Sequence, residues 1–355
     1  MFNLVKWQGV LSGSDRSAKG WLLRGLLTIA SWPYGWVIRF RNWQFDRSWK
    51  KNSRCGLPVI SIGNLTTGGT GKTPLVIWFA EQIRAQGIRV AILSRGYGAV
   101  GEGENDEARE LAERLPDVPN LIDPSRVRSA RLAREELEMQ VCILDDGFQH
   151  RYLARDLDVV LIDATLPFGF GAMLPRGLLR EPVKGLRRAN LVVITRTNVV
   201  TDDVLTGIEQ TIRKWNPVVP VARSIVEPRS WRRADGERKK IDELLLDKVF
   251  MLCAIGNPSG FRASINQLRA NVVGEAIFPD HHHFNNADLA QIETRAKEAG
   301  AQIIVCTVKD LVKINRNRLG DCPIWALEIS SRFVSDEDTV ITLLQRVLAA
   351  IPPDD

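Results

Sequence analysis

The chain has 355 residues, enough for two domains that each bury a core, and 45% of them are hydrophobic and 25% charged. That ordinary globular balance excludes a disordered or fibrous chain, and the net charge of +6 hides an uneven distribution. Five scattered cysteines (Cys55, Cys142, Cys253, Cys306, Cys322), none in a CxxC pair, argue for reduced thiols in place of a disulfide framework or a zinc site.

Residues 1–54 carry ten Lys/Arg against only Asp15 and Asp46, about +8, and six of the ten tryptophans. The longest uncharged run there, GLLTIASWPYGWVI, spans 14 residues between Arg24 and Arg39, short of the ~20 needed to cross a bilayer. It lacks a small-residue cleavage site, which argues against a secretory signal. Basic residues mixed with Trp and Leu suit an element lying in a membrane interface, with indoles at headgroup depth and cations against anionic lipid. The competing readings are a helix packed on the protein's own core with a solvated basic face, and nucleic-acid binding, for which no recognised module is present.

From residue 57, short apolar runs alternate with helical stretches. LPVISIG, RVAILSRG, VCILDDG, LDVVLIDA and NLVVITRT read as buried strands, and LVIWFAEQIRAQG and SRVRSARLAREELEM as helices. This predicts a doubly wound, mostly parallel α/β domain over 55–215, with 1–54 as its basic N-terminal segment. A Pro-punctuated stretch around WNPVVPVARSIVEP separates a smaller α/β domain over 216–355. Its predicted strands are KVFMLCAIG, NVVGEAIF, AQIIVCTV and PIWALEIS, with helices near 285–299 and 336–350.

IGNLTTGGTGKTP (62–74) joins the first strand to the first helix of the larger domain. Glycines there let successive N–H groups face phosphate oxygens at a helix N-terminus. The nucleotide-binding residues are therefore Thr66, Thr67, Gly68, Gly69, Thr70, Gly71, Lys72 and Thr73, with Lys72 reaching the β- and γ-phosphates and Thr73 holding magnesium. Thr66 stands where the strict pattern has glycine. VCILDDGFQH puts Asp145 and Asp146 at a strand's carboxyl end, where a carboxylate completes the magnesium shell. No guanine-reading motif follows, which leaves ATP as the default nucleotide.

FPDHHHF (278–284) holds three of the four histidines. An Asp–His pair there suits proton handling; a metal cluster and a plain solvated loop are the other readings. SRGYG (94–98) closes the second strand, and NDEARELA opens a helix with Asp106 and Glu107, where capping competes with function. LPRGLLREP (174–182) lies in a long loop, the kind of segment that carries function more often than packing.

As an ordered set, IGNLTTGGTGKTP, LSRGYG, NDEA, DPSR, LDDGFQH, LPRGLLREP, AIGNPSGF, FPDHHHF and TVKD resemble the tetraacyldisaccharide 4′-kinase (lipid A 4′-kinase) family over about residues 58–310. That resemblance implies transfer of the γ-phosphate of ATP, with Mg2+, to the 4′-hydroxyl of a tetraacylated glucosamine disaccharide 1-phosphate, giving lipid IVA. It implies work at the cytoplasmic face of the bacterial inner membrane through the N-terminal segment, with no nucleic acid and no obligate protein partner. Matched by position, Asp106 is the catalytic carboxylate paired with His281, beside Lys72, with the adjacent His282 and His283 as the alternatives to His281. Thr73, Asp145, Asp146 and Glu107 fall to the metal. Asn64, Tyr97, Arg126, Gln149 and Arg180 fall to the sugar or its phosphate, and Glu181 falls near the reaction centre as a further substrate-binding residue. The family's common GDEP is NDEA here, TEKD is TVKD, and LPAGPLRE is LPRGLLRE, which adds Arg176 beside the expected substrate phosphate. A membrane-associated P-loop ATPase acting as a partner switch is the alternative, since it shares the loop and the basic segment but needs neither FPDHHHF nor NDEA.

Overall fold

The computed structural model describes residues 9–95, 106–280 and 282–351. The chain divides into two compact units, each made of discontinuous segments. Unit 1 comprises residues 1–95, 118–225 and 333–355, and unit 2 comprises 96–117 and 226–332. The division thus differs from a cut at 215/216. Residues 96–117 leave the larger unit to join the smaller, and the C-terminal helix returns to the larger.

Unit 1 is built on seven parallel strands. They are β1 (Val59–Asn64), β2 (Val90–Ser94), β3 (Asn120–Ile122), β4 (Val141–Asp145), β5 (Leu157–Asp163), β6 (Leu191–Thr195) and the first part of β7 (Val221–Arg232). Their order is β7-β6-β5-β1-β4-β2-β3, so β2, β3 and β4 lie on one side of β1 and the chain crosses after β4 to place β5, β6 and β7 on the other. The crevice beyond β1 is the switch point at which nucleotides bind in such sheets. Every residue of β1, β2, β4, β5 and β6 is buried, as expected of runs covered on both faces. One face packs Val160, Ile162, Val192 and Ile194 against Leu205, Ile208 and Ile212 of α5 (Asp202–Trp215). The other packs Val59, Ala91, Leu93, Cys142 and Leu144 against Ala130 and Ala133 of α4 (Arg126–Glu135). Helix α2 (Lys72–Arg84) buries Leu75, Val76, Phe79, Ala80 and Ile83.

Unit 2 repeats the logic at smaller scale. Strands β9 (Val249–Cys253), β10 (Val272–Ile277), β11 (Ile303–Thr307) and β13 (Cys322–Ser335) run parallel in the order β10-β9-β11-β13. The two-residue strand β12 (Arg318–Leu319) and β8 (Arg238–Lys240) add antiparallel pairs to β13 and β7. Alternation along β9 divides the core. Phe250 and Leu252 meet Leu289, Ile292 and Ala296 of α7 (Asn286–Glu298), while Met251 and Cys253 meet Phe261 and Ile265 of α6 (Pro258–Gln267). TVKD forms the start of α8 (Val308–Ile314). There the buried Asp310 exchanges hydrogen bonds with Thr307 and accepts one from the Ala254 N–H, tying β11 to the end of β9.

Helix α1 (Ala18–Asp46) is one continuous 29-residue helix with Pro33 inside it and Ser17 capping its start. Its inward residues are small or polar except for Ile38: Gly20, Ser31, Gly35 and Asn42. Its outward residues are large and apolar. Trp21, Leu22, Leu26, Ile29, Trp32, Trp36, Val37 and Phe40 are all more than half exposed, Trp36 at 73%. The polarity of an ordinary surface helix is inverted. No helix among the described residues is long and apolar enough to cross a membrane. All five cysteines are unpaired, four of them buried, as the sequence predicts.

Candidate active site

Unit 1 gathers its polar groups where β1 gives way to α2. Gly71 adopts a left-handed backbone (φ 84°) that turns the chain into the helix, so Lys72 is the first helical residue. Residues 66 and 67 are pinned to the segment preceding Arg180: Thr66 bridges Leu179, and the Thr67 N–H donates to the Leu178 carbonyl at 2.8 Å. Among the described residues, none of 68–72 gives its N–H to another backbone carbonyl, which leaves a row of donors for an anion. The end of β6 braces the loop: Thr195 Oγ1 donates to the Thr70 carbonyl at 2.9 Å, and Arg196 donates to the Gly69 carbonyl at 2.9 Å.

A charged constellation faces Lys72. Its Nζ lies 3.3 Å from Asn64 Oδ1 and 3.6 Å from Asp146 Oδ1. Arg180 forks onto both oxygens of Asp146 at 2.7 Å each and also donates to the Asn64 side chain. Burial alone would raise the Asp146 pKa; the Lys72 charge and the Arg180 hydrogen bonds outweigh it and hold the carboxylate ionised well below its usual range. Asp146 takes a left-handed backbone (φ 51°) to reach this position. Gly63 lets the turn after β4 approach, since a Cβ there would lie 2.6 Å from the Phe148 nitrogen.

Behind this row is a second network. Gln149 donates from Nε2 to the Asn64 carbonyl and to Glu181 Oε1, both at 2.9 Å. Arg188 donates to Glu181 Oε2 at 2.9 Å, and Asn42 of α1 donates to the same oxygen at 3.2 Å. Tyr34 of α1 donates to the Arg180 carbonyl at 3.0 Å.

The structure therefore brings together Asn64, Lys72, Asp146, Gln149, Arg180 and Glu181 of the residues named from sequence. Glu181 is fully buried and Arg126 nearly so. Both act on the site through intervening side chains: Glu181 through Gln149, and Arg126 through its charge, which lowers the Asp146 and His150 pKa values. Asp145 is buried at the end of β4 and Thr73 half-buried in the first turn of α2. With oxygen donors only, this pair suits magnesium, which takes one or two carboxylates along with phosphate and water. Both oxygens of Asp146 are held by Arg180. Arg176, expected beside the substrate phosphate, instead donates to the Leu11 carbonyl at 2.7 Å and anchors the segment before α1.

In unit 2 the backbone places Asp106 and Glu107 in the first turn of α3 (Asp106–Arg114). The side chains of those two, with Tyr97 and His281, lie outside the described residues. His282 lies 3.0 Å from Asp288 and stacks on Phe278 at 4.7 Å, which occupies it at the start of α7.

Sequence reasoning missed Asp163, Thr195 and Arg196, where Arg196 pairs with Asp163 as it clasps the loop. The signal was present: both predicted strands, LDVVLIDA and NLVVITRT, end in polar residues, and Asp163 registers with Thr195. Asn42 and Tyr34 carried no signal, because their partners lie more than a hundred residues away.

The profile of the tetraacyldisaccharide-1-P 4′-kinase family matches residues 23–349. The chain belongs to this family. It is 39% identical over 325 residues to the tetraacyldisaccharide 4′-kinase of Anaeromyxobacter sp., covering 86% of each chain. With the enzyme of that name from Halothermothrix orenii the identity is 34%, over 89% of this chain and 88% of the other. Among solved structures, LpxK from Aquifex aeolicus in complex with ATP matches with a TM-score of 0.71 and 30% identity, across 92% of this chain and 99% of that one.

Proposed function

We propose that the chain transfers the γ-phosphate of ATP to the 4′-hydroxyl of a tetraacylated glucosamine disaccharide 1-phosphate. The observation that carries this reading is the constellation of Lys72, Asn64, Asp146 and Arg180 at the phosphate loop, in a chain of a 4′-kinase family. The loop N–H groups and Lys72 hold the β- and γ-phosphates. Arg180 and Asn64 fix the Lys72–Asp146 pair so that its positive end points at the charge that develops on transfer. The acceptor oxygen bonds to the γ-phosphorus as the bond to the β–γ bridging oxygen breaks, ADP leaves, and Asp106, oriented by His281, takes the hydroxyl proton. Thr73 and Asp145 are the residues that would hold Mg2+, which would supply positive charge to neutralise the phosphate oxygens; Glu107 would join them by its place in the family pattern.

The substrate is a lipid, and the inverted helix α1 supports delivery at a membrane surface. Its outward indoles and aliphatic groups suit the interface of the bacterial inner membrane's cytoplasmic leaflet, with the helix lying in the plane as a peripheral element. The distinguishing experiment compares wild type with Asp106→Ala and His281→Ala. Both variants retain ATP binding and lose transfer; full transfer by either removes the proposed proton acceptor.

A further inference from the structure

Next to the C-terminal end of α1, in unit 1, lies a cavity of about 430 Å³ lined by Lys50, Lys51, Arg151, Arg155, Arg188 and Asp158. Five cations face one carboxylate. Three of the cations are matched: Arg155 with Asp158 at 3.3 Å, Arg151 with Asp46 at 2.8 Å, and Arg188 with Glu181 at 2.9 Å. Lys50 lies over the Tyr152 ring at 5.9 Å, and neither it nor Lys51 forms an ion pair among the described residues. The site therefore holds two surplus positive charges above a floor of ordered guanidinium groups, in a volume within the range of small-molecule sites.

Its position selects the ligand. The outward apolar face of α1 ends at Trp43, which meets Trp49 edge-on at 4.6 Å, and Phe45 and Ser48 from the same stretch line the cavity. Indoles at the end of an interfacial helix sit at headgroup depth, which is the depth of lipid phosphate. From this continuity of apolar face and cationic cavity, we propose that the pocket binds the phosphodiester headgroup of an anionic bilayer phospholipid. The same end of α1 carries the inward residue Asn42, which donates to Glu181. This inference rests on the membrane-surface reading of α1.

The test uses the full chain and monomeric dihexanoyl-phosphatidylglycerol below its micelle concentration, followed by titration calorimetry, with dihexanoyl-phosphatidylcholine and inorganic phosphate as separate arms. Saturable binding of the anionic lipid is expected, weakened about tenfold or more in Lys50→Gln/Lys51→Gln and unchanged in the Lys19→Gln/Arg39→Gln control on exposed helix positions. Equal weakening in the control, equal binding of the zwitterionic lipid, or equal binding of inorganic phosphate would overturn the pocket. Because the lipid is monomeric, the result is independent of whether α1 lies on a bilayer. Vesicle binding of a Trp32→Glu/Trp36→Glu variant tests that separately.

Discussion

Asn42, on the inward side of α1, donates a 3.2 Å hydrogen bond to Glu181, whose side chain is wholly buried and is also held by Gln149 and Arg188. A helix with an apolar outer face thus contributes a polar group to the network that supports the phosphate loop. Asn42→Ala leaves one buried carboxylate oxygen with a donor fewer and is expected to cost about 1–2 kcal/mol, read from urea unfolding. Asn42→Asp, which places a second carboxylate against Glu181, is expected to cost more.

Lys72→Ala removes the cation that faces Asp146 and, in the proposed reaction, the transferring phosphoryl group. Transfer is expected to fall about 10²–10³-fold. Isotope-edited carboxyl titration should show the Asp146 pKa rising toward the ordinary range, because the charge that offsets its burial is gone.

Arg180→Lys retains charge but loses the fork that engages both oxygens of Asp146. A lysine cannot reproduce that bidentate geometry. A fall in transfer of about 10–100-fold is expected, with ATP affinity changed much less. Full activity in the lysine variant would mean that Arg180 acts as a charge only.

Burial and the surrounding arginines, Arg126 foremost, push His150 down to about 4 from its usual 6.5. The folded state therefore holds His150 neutral while the unfolded chain protonates it between those two values. Stability from this group is complete above pH 6.5 and is lost as pH falls toward 4. Because the ring is partly exposed, the loss amounts to about 1–2 kcal/mol. His150→Gln should flatten the stability profile across that window, measured by thermal melts at stepped pH.

The outward face of α1 makes a prediction of its own. Trp32→Glu/Trp36→Glu changes two residues that are 63% and 73% exposed, so the melting temperature should stay nearly constant. Sedimentation with vesicles of inner-membrane composition should fall about tenfold or more. Unchanged sedimentation would assign the exposed tryptophans to another partner.

Much of the fold was legible because strands covered on both faces are continuous apolar runs. LPVISIG, VCILDDG and NLVVITRT correspond to β1, β4 and β6. β3 escaped because three residues, NLI, carry no periodicity. The unit division was not legible. Residues 96–117 and 333–355 sit in units that sequence order does not assign them, and no composition shift marks that exchange. At the site, glycines and acidic strand ends announced the loop and Asp146. The composition of residues 1–54 suggested an interfacial element, but only the packing of Gly20, Ser31, Gly35 and Asn42 shows which face is turned inward. Side chains that meet across long sequence separations, such as Asn42 with Glu181, leave no local trace.

The central claim is phosphoryl transfer to a lipid alcohol, and γ-labelled ATP measures it directly. With the tetraacyl disaccharide 1-phosphate present, the label should appear in the organic phase on a bis-phosphorylated disaccharide, in amounts matching the ADP formed. Label recovered only as inorganic phosphate, at a rate indifferent to the lipid, would contradict the account.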